Sequence, residues 1–357
     1  MKSFIEIIRE AVASNVRDIY ILAGQPVMFK SNNEYSRYEQ TDSRFLSPGD
    51  TEKYVTQAYD IARRLVDLLD NRGEDLFAIS ISGLSRLRVI AYRQRNSYAM
   101  VVRIIPFGIP TAESMKIPSA VMNLSALREG LVLICGPAES GKSTTLACIT
   151  DRINQDRTCH IISIEKPIEY LYRNKLAFIS QREIPLDAPD ALSSLRTARW
   201  QSPDVVTLSE IDSHDTVSEL ISLAVNHRLV FAALQAKSAP EAISQILSMY
   251  PVEQRDEAAV RIAHTLKTVV CQQLVPTTDG VVPVFEIVPT DAVLGKLIVT
   301  RDYSGIREHI RNGIGGCTYM NPILEELLRS GKITEETAVY YSDDPENMQE
   351  RLKKIHL

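Results

Sequence analysis

The spacing of hydrophobic residues changes along this chain of 357 residues and separates it into two parts. Near the start, Phe4, Ile7, Ile8 and Ala11 recur at helical intervals within residues 3–14. Three later runs alternate apolar with polar or small residues, a pattern typical of β-strands with one buried face. The alternating apolar residues are Phe77, Ile79 and Ile81, then Leu87, Val89 and Ala91, then Met100, Val102 and Ile104. A helix followed by such strands predicts a small α+β domain with an antiparallel sheet over residues 1–105.

Two further segments belong to this part of the pattern. Residues 42–69 begin with polar residues and continue with apolar residues at helical spacing, which predicts an amphipathic helix. The segment PFGIPTAESMKIPS contains three prolines and shows little periodicity. Because proline fixes φ and lacks a backbone donor, this composition predicts a linker at 106–120.

Beyond the linker, short apolar runs alternate with helical patterns. Stretches 215–226 and 256–270 are predicted helices, and residues 298–357 are predicted to be mainly helical. Continuous apolar runs indicate strands of a largely parallel sheet that is buried on both faces. The predicted strands are Leu131–Cys135, His160–Ile164, Val205–Leu208 and Leu229–Leu234. The second part, residues 121–357, is therefore predicted to be an α/β domain.

Composition argues against several classes of function. The formal net charge of −5, without any block of like charge, disfavours nucleic acid as a partner. Glu6, Arg9 and Glu10 interrupt the apolar residues at the N-terminus, so no signal peptide is expected, and no apolar run reaches the ~18 residues of a membrane span. The five cysteines include no C-x-x-C pair, which argues against a zinc site or a disulfide framework. We expect a cytoplasmic protein with reduced, buried thiols.

The strongest chemical signal is the segment GPAESGKS, which matches the phosphate-binding pattern G-x-x-x-x-G-K-[ST] between a predicted strand and a helix-compatible segment. Such a loop turns backbone N–H groups toward phosphates, and the following helix adds the positive end of its dipole. Lys142 would reach the β- and γ-phosphates, and the Ser143 hydroxyl would hold Mg²⁺. Glu139 places a carboxylate in this loop, where its charge would weaken phosphate binding. The residues predicted to bind ATP here are Gly136, Pro137, Ala138, Glu139, Ser140, Gly141, Lys142, Ser143 and Thr144.

An acidic group is also required, either to hold the magnesium ion with its water shell or to polarise the attacking water. Glu210 follows a predicted strand in SPDVVTLSEID, where the carboxyl ends of parallel strands would face the phosphates. Glu165 and Glu169 follow another strand in HIISIEKPIEY and are further candidates on local sequence.

These motifs resemble those of the type IV pilus retraction ATPase family (PilT), within the ATPases of type II and type IV secretion systems. REGLVLICGPAESGKSTTLACITDRIN resembles the Walker A region, HIISIEKPIEY the Asp box, ISQREI a following loop, SPDVVTLSEID the Walker B region and RLVFAALQAKSAPEAI the His box. RDIYILAGQPVMFK and SRLRVIAYRQRNSYAMVVRIIP resemble the family's N-terminal domain. The motifs stand in the family's order over nearly the whole chain.

The resemblance implies a PAS-like N-terminal domain, a RecA-like P-loop ATPase domain, and a hexameric ring that engages a pilus platform protein at the inner membrane. A second motor ATPase is a candidate partner. Glu210 matches the Walker B glutamate and Glu165 the Asp-box glutamate, both catalytic in the family. Arg88 and Arg103 match arginines that approach the nucleotide, a role that suits the bidentate guanidinium group. The implied ligands are ATP and Mg²⁺, the latter held by Ser143 and Glu210.

Several positions depart from the family's pattern, among them Ala138, Ser209, Arg228, which replaces a His-box histidine, and the segment AVLGKLIV, which stands where the family has its retraction motif. In the Walker A loop, Glu139 replaces a glycine of G-P-T-G-S-G-K-S-T. Lys166 replaces the aspartate of I-E-D-P-I-E, and Asp212 replaces the arginine of G-E-M-R-D. Trp200 replaces the second arginine of LRSALRED, and Gln235 replaces a histidine of the His box. Arginine stabilises transition-state charge, and glutamine cannot take up a proton as histidine does, so these changes predict slow or partner-dependent hydrolysis.

The predicted function is an ATP-binding and ATP-hydrolysing ring motor of the pilus retraction type. One alternative is a catalytically weak paralogue that acts as a structural or regulatory partner of a competent motor. Another is an ATPase of a related secretion or pilus assembly system. The absence of a cysteine quartet argues against the assembly-type ATPases, many of which carry a zinc-binding insertion.

Overall fold

A computed structural model describes residues 2–31, 34–38, 45–106 and 108–355. Contacts within the chain divide it into two compact units. The first comprises Met1–Gly108 and Glu169–Tyr172, and the second comprises Ile109–Ile168 and Arg173–Leu357. Among the described residues, every helix is too short or too polar to span a membrane.

The first unit is built on an antiparallel sheet. Its elements are α1 (Phe4–Ala13), β1 (Asp18–Ile21), β2 (Met28–Ser31), β3 (Glu34–Arg37), α2 (Pro48–Ala62), α3 (Asp67–Arg72), β4 (Glu74–Ile81), β5 (Ser85–Gln94) and β6 (Ser97–Pro106). The six strands lie in the order β3-β2-β1-β6-β5-β4. Leu87, Val89 and Ala91 of β5 are buried in one core with residues of α1 and α2. Arg86 and Arg88 alternate with them and therefore lie on the other face of the sheet.

Helix α2 has clear start and stop signals. The Ser47 side chain accepts from the backbone N–H of Asp50, and the Asp50 carboxylate accepts from the N–H of Ser47. The helix ends at Ala62 because Arg63 adopts φ 53°, in the left-handed region. The one amphipathic helix predicted after the polar start of 42–69 is therefore wrong at its C-terminal end, since α2 and α3 are separate helices. Residues 42–44 of that prediction lie outside the described residues.

The second unit alternates strands and helices. Its elements are α4 (Ser119–Met122), β7 (Gly130–Cys135), α5 (Lys142–Asp156), β8 (His160–Glu165), β9 (Phe178–Glu183), α6 (Ala191–Trp200), β10 (Val205–Leu208), α7 (His214–Val225), β11 (Leu229–Leu234), α8 (Ala239–Met249), α9 (Arg255–Thr265), β12 (Leu266–Thr277), β13 (Gly280–Pro289), α10 (Ala292–Thr300), α11 (Tyr303–Arg311), α12 (Met320–Arg329), α13 (Glu335–Tyr341) and α14 (Pro345–Ile355). Short 3₁₀ helices occur at Asn123–Ala126, Val252–Gln254 and Ile314–Gly316. The strands lie in the order β13-β12-β7-β11-β10-β8-β9, and all pairs are parallel except β12–β13. This confirms the predicted α/β class, with a mainly parallel sheet after a small α+β part.

Strand β7 shows why the apolar runs of this unit are continuous. Leu131, Leu133 and Cys135 pack into the core on one face of the sheet, and Val132 and Ile134 pack into the core on the other face. None of these side chains is more than 1% exposed. A strand buried on both faces needs apolar residues at every position, so the sequence carries no alternation. The predicted bounds of β7, β8, β10 and β11 are correct to within one residue.

Two predictions about this unit are wrong. The helix predicted at 256–270 ends at Thr265, because the chain then enters the sheet as β12 and pairs with both β7 and β13. The segment ISQREI, for which the resemblance implied a loop, lies mostly in β9 and pairs in parallel with β8. In both segments, backbone pairing with a neighbouring strand outweighs the local pattern.

Candidate nucleotide-binding site

Four neighbouring parallel strands of the second unit end at one edge of the sheet. Strand β7 leads into the loop at residues 136–141, and β8 ends at Glu165. Glu210 follows shortly after β10, and Gln235 follows β11 directly. The parallel register keeps these strand ends level, so the sheet brings the loop, both glutamates and Gln235 to the same edge.

The loop depends on two glycines. A Cβ on Gly136 would lie 2.3 Å from the backbone oxygen of Gln272 and 2.3 Å from Ser140 Oγ. Gly141 has φ 88°, and a Cβ there would lie 2.7 Å from Gln272 Nε2. Any other residue at either position would meet these atoms, and at Gly136 one of them is backbone. The loop therefore keeps its shape only with both glycines present.

Lys142 lies over this loop. Its Nζ donates to the carbonyl oxygens of Gly136 at 2.9 Å and Pro137 at 2.6 Å. It is also the first residue of the 15-residue helix α5, whose first turn includes Ser143 and Thr144 and has no acidic residue. The free N–H groups and dipole of a helix N-terminus attract anions, so α5 adds positive potential to that of the lysine.

Ser140 supports an anionic ligand at the loop. The residue is 2% exposed, and its Oγ has no hydrogen-bond partner among the described residues. A buried hydroxyl without a partner is unfavourable, and a phosphate oxygen would relieve that cost. Together with the tight turn at Gly136 and the ammonium group of Lys142, this hydroxyl fits the phosphates of a nucleotide.

Glu139 adopts the backbone conformation that glycine supplies most easily. Its φ is 59°, in the left-handed region. For a residue with a side chain this conformation costs about 1–2 kcal/mol. The side chain is exposed, as is that of Ala138 before it. The carboxylate therefore points to solvent while the backbone retains the turn.

Gln272 and Thr145 were not predicted from the sequence. Gln272 lies in β12 beside the end of β7, and its Oε1 accepts from Thr145 Oγ1 at 2.6 Å. Both residues are buried. The available signal was a pair of glutamines inside the β-branched run TVVCQQLV, which is unusual for a buried segment.

A chain of hydroxyl groups orients Glu165. Thr207 Oγ1 donates to Ser163 Oγ at 2.8 Å, and Ser163 Oγ donates to Glu165 Oε1 at 2.7 Å. Gln181 of β9 donates to the same carboxylate oxygen at 2.9 Å. Glu165 is half-buried at the end of β8, so its carboxylate is held in place at the sheet edge.

Gln235 contacts Glu210. Its Nε2 lies 3.4 Å from Glu210 Oε1 and donates a long hydrogen bond to that oxygen. Glu210 is half-buried, and Gln235 is exposed. An amide at this position can orient the carboxylate or a water molecule, but it cannot exchange a proton with either.

Lys166 and Asp212 line one pocket with Glu210. The pocket has a volume of about 70 Å³, and its walls also include Ser209, whose Oγ accepts from the backbone N–H of Lys166 at 2.8 Å, and Asp190. In the family's motifs, the position of Lys166 is an aspartate and the position of Asp212 is an arginine. The acidic and the basic residue are therefore exchanged between the two segments that meet in this pocket. The expectation that Asp212 simply removes a cation is therefore incomplete, because Lys166 supplies one from the facing segment.

Trp200 lies away from this edge. It ends α6 and is 90% exposed. The carbonyl of the next residue, Gln201, lies 3.2 Å from His160 Nδ1. His160 begins β8 whereas Glu165 ends it, and a strand rises ~3.3 Å per residue, so Trp200 lies near the opposite edge of the sheet. Trp200 therefore lies away from Glu165 and Glu210 within this unit, and the loss of a charge-stabilising arginine at its position stays a prediction.

Arg88 and Arg103 belong to the first unit. They face each other directly across β5 and β6. Arg103 Nε donates to Asp18 Oδ1 at 2.7 Å, and this hydrogen bond raises the pKa of the arginine. The pair presents guanidinium groups on one face of the antiparallel sheet, and contact of either group with nucleotide stays a prediction.

Comparison with known proteins finds similarity over nearly the whole chain. The family model described as "Type II/IV secretion system protein" matches residues 87–332. The chain is 32% identical over 353 residues to "Type IV pilus ATPase PilU" of Pseudomonas aeruginosa, covering 98% of this chain and 91% of that protein. It is 28% identical over 349 residues to "Type IV pilus retractation ATPase PilT" of the same organism, covering 96% and 98%. The crystal structure of the pilus retraction motor PilT with bound ADP matches with a TM-score of 0.89 at 28% identity, over 98% of this chain and 100% of that chain.

Proposed function

This chain belongs to the Type II/IV secretion system protein family as a divergent PilT-like member, and we propose that it is an ATP-driven motor of the pilus retraction type. The observation that carries the proposal is the loop between β7 and α5. Its two glycines, the buried Ser140 hydroxyl and the Lys142 ammonium group form a site that suits phosphates. Similarity to relatives named for pilus retraction supports the mechanical output.

In the proposed mechanism, backbone N–H groups of Ala138–Thr144 would surround the triphosphate, and Lys142 would move from the loop carbonyls to the β- and γ-phosphates. Mg²⁺, held by Ser143 and Glu210, would neutralise charge on the phosphate oxygens. Glu210 also orients the attacking water, and Glu165 lies on the neighbouring strand to accept its proton. The hydrogen bonds to Glu165 from Ser163 and Gln181 fix the direction of that carboxylate.

We further propose that hydrolysis is slow or depends on a partner. Gln235 donates a hydrogen bond to Glu210 and cannot take up a proton. The pocket beside Glu210 has Lys166 and Asp212 in place of the family's aspartate and arginine. Lysine is a point charge without the planar fork of arginine, so it stabilises a phosphoryl transition state less effectively.

The assembly proposed for this motor is a homo-oligomeric ring of six subunits, as the resemblance to the PilT family implies. Residues 1–105, the linker 106–120 and residues 121–357 would be its moving parts. Arg88 and Arg103 would approach nucleotide within that ring. The ring would act in the cytoplasm on an inner-membrane platform protein, with a second motor ATPase as a further partner and no nucleic acid.

A second candidate function is favoured by the same altered residues. Lys166, Asp212 and Gln235 all lie near Glu210, at the ends of β8, β10 and β11. The phosphate-binding loop, in contrast, keeps both of its glycines. Such a protein would bind nucleotide and regulate or support a competent motor while contributing little turnover itself. An ATPase of a related secretion or assembly system could have the same combination of an intact phosphate-binding loop and altered residues near Glu210.

Two assays on the purified protein test the proposal. Calorimetric titration with Mg·ATP measures binding, and phosphate release measures turnover. For a motor, Glu210→Gln keeps the affinity for ATP within about threefold, because the amide oxygen can still face Mg²⁺, and lowers turnover by about 100-fold, because the charge that orients the attacking water is lost. A wild-type protein that binds no nucleotide contradicts the proposal, and binding without turnover favours the regulatory candidate.

A further inference from the structure

Strand β12 carries two consecutive buried amides. Gln272 is 3% exposed and Gln273 is 4% exposed, and they follow Cys271, which is 0% exposed. Successive residues of a strand point to opposite faces, so the two amides serve different neighbours. Buried amides are unfavourable unless they make hydrogen bonds, which is why the partners of each indicate its role.

Gln272 contacts the start of helix α5. Its Oε1 accepts from Thr145 Oγ1 at 2.6 Å, and the Thr145 side chain is fully buried. The backbone N–H of Thr145 donates to the carbonyl of Gly141 at 3.0 Å. This threonine lies in the same first turn as Lys142 and Ser143. A bond to Thr145 therefore constrains the turn that carries both residues proposed to contact phosphate and Mg²⁺.

Gln272 also lies against both glycines of the loop. Its backbone oxygen lies 2.3 Å from the position of a Cβ on Gly136, and its Nε2 lies 2.7 Å from that of a Cβ on Gly141. The two ends of the loop thus rest on the same residue.

From these contacts we propose that Gln272 is a positioning residue for the nucleotide, which holds the two ends of the phosphate-binding loop and the first turn of α5 in one arrangement. The inference rests on the proposed function and adds a residue that lies outside the G-x-x-x-x-G-K-[ST] pattern. Gln272 acts through Thr145, Gly136 and Gly141, and it has no direct chemical role in hydrolysis.

Gln273 provides a matched control. It occupies the next position of the same strand, is buried to the same degree, and is the same residue type. Its Nε2 donates to the carbonyl of Tyr341 at 3.0 Å and contacts Met320 Sδ at 3.3 Å. Both partners belong to the C-terminal helices α12 and α13. Loss of the Gln273 amide therefore costs stability on a face of the strand away from the loop.

The test compares Gln272→Met, Thr145→Val, the double variant and Gln273→Met. Methionine matches the unbranched shape of glutamine, and valine matches threonine, so each change removes polar atoms with little change in volume. Affinity for Mg·ADP is measured by calorimetry, and the melting temperature is measured in parallel. Each single variant at Gln272 or Thr145 is expected to bind ADP about tenfold more weakly, the effect of losing one buried hydrogen bond of about 1.4 kcal/mol.

The double variant separates positioning from packing. Replacing both partners of a buried hydrogen bond by apolar groups leaves no polar atom unsatisfied, so the melting temperature is expected to recover toward that of wild type. Affinity for ADP is expected to stay about tenfold weak, because the bond that fixes the turn is still absent. Gln273→Met is expected to lower the melting temperature as much as Gln272→Met and to keep ADP affinity within about twofold.

Four results would overturn the inference. Unchanged ADP affinity in Gln272→Met and Thr145→Val would show that the bond does not position the loop. Affinity that recovers together with stability in the double variant would show that only packing mattered, as would an equal loss of affinity in Gln273→Met. A wild-type protein that fails to bind ADP overturns the proposed function and this inference together, whereas the other results leave the proposed function intact.

Discussion

The loop between β7 and α5 and the ends of β8, β10 and β11 share one edge of the sheet, but they are constrained differently. The loop is enclosed by atoms: a single added carbon at Gly136 would lie 2.3 Å from backbone and side-chain oxygens. At the other strand ends, Lys166, Asp212 and Gln235 are exposed. Steric constraint leaves the loop few acceptable residues, whereas an exposed charge can be replaced with little effect on folding. If the proposed function is correct, this contrast would allow substitutions to change turnover while nucleotide binding is retained.

The largest expected effect comes from breaking the loop. Gly136→Ala forces its Cβ into the backbone of Gln272, so we expect Mg·ATP affinity to fall by more than about 100-fold. Calorimetric titration measures the loss. Gly295→Ala is the control, because its nearest atom would lie 3.9 Å away and its φ is ordinary for a helix. Equal loss of affinity in both variants would contradict the steric account.

The role of the glutamates at the ends of β8 and β10 is tested by Glu210→Gln in single-turnover experiments. The amide keeps the shape of the side chain but loses the negative charge that orients and polarises the attacking water, so we expect the hydrolysis step to slow about 100-fold with ATP affinity nearly unchanged. Glu219→Gln is a suitable control, because Glu219 pairs with Arg196 and Arg199 rather than with the site. A Glu210 variant that hydrolyses ATP at the wild-type rate would remove this carboxylate from the mechanism.

Glu286, in β13, is a buried carboxylate near the start of the loop between β7 and α5. It is in register with Cys271, which is in register with Cys135 at the start of the loop. Burial, with a contribution from Asp343, raises the pKa of Glu286 from 4.5 to about 8. The backbone N–H of Ala239 donates to its Oε1 at 2.9 Å.

The sign of its pH effect follows from that shift. Between pH 4.5 and about 8 the folded protein holds a proton that the unfolded chain has lost, so stability falls as pH rises through this range. Glu286→Gln should flatten the fall, and its melting temperature should exceed that of wild type at pH 8 by more than at pH 5. The exposed Glu257→Gln variant should follow wild type at both pH values. Parallel curves for Glu286→Gln and wild type would contradict the assignment.

The exchanged charges of the pocket predict a moderate effect. Lys166→Asp alone leaves the pocket beside Glu210 with charged side chains that are all acidic, so we expect turnover to fall about tenfold through like-charge repulsion. Lys166→Asp with Asp212→Arg restores a pair of opposite sign and should recover at least the wild-type turnover. Steady-state phosphate release measures both variants. A double variant as slow as Lys166→Asp would show that the two charges act independently.

The smallest expected effect concerns Glu139. Glu139→Gly removes the cost of holding a residue with a side chain at φ 59°. Glycine also gains freedom in the unfolded chain, which offsets part of this effect, so the net stabilisation of the fold should be about 0.5–1 kcal/mol. It should also strengthen ATP binding about twofold to threefold at low salt, by removing an exposed negative charge. Glu139→Gln separates these effects, because it removes the charge and keeps the backbone conformation. Gains in affinity but not in stability are expected from Glu139→Gln.

The sequence predicted the elements whose pattern is locally complete. Continuous apolar runs identified β7, β8, β10 and β11, and the glycine spacing identified the loop. The β12–β13 hairpin escaped prediction, because β12 pairs with β7, which lies far away in the sequence, and because the first residues of β12 continue a helical pattern. Gln272 escaped for the same reason, since its partners are Thr145 and the loop glycines. The motif predicted which groups bind phosphate, but only the fold reveals what supports them.

Titration of the purified protein with Mg·ATP, beside its Lys142→Ala variant, tests the central claim most directly. The account predicts a dissociation constant for wild type in the micromolar range, about 1–100 μM, and a loss of at least about 100-fold in the variant. This binding should occur even if turnover is very slow, because close packing preserves the loop whereas the exposed residues at the ends of β8, β10 and β11 can change without altering it. Wild-type protein that binds no ATP, or a Lys142→Ala variant that binds as well as wild type, would contradict the account.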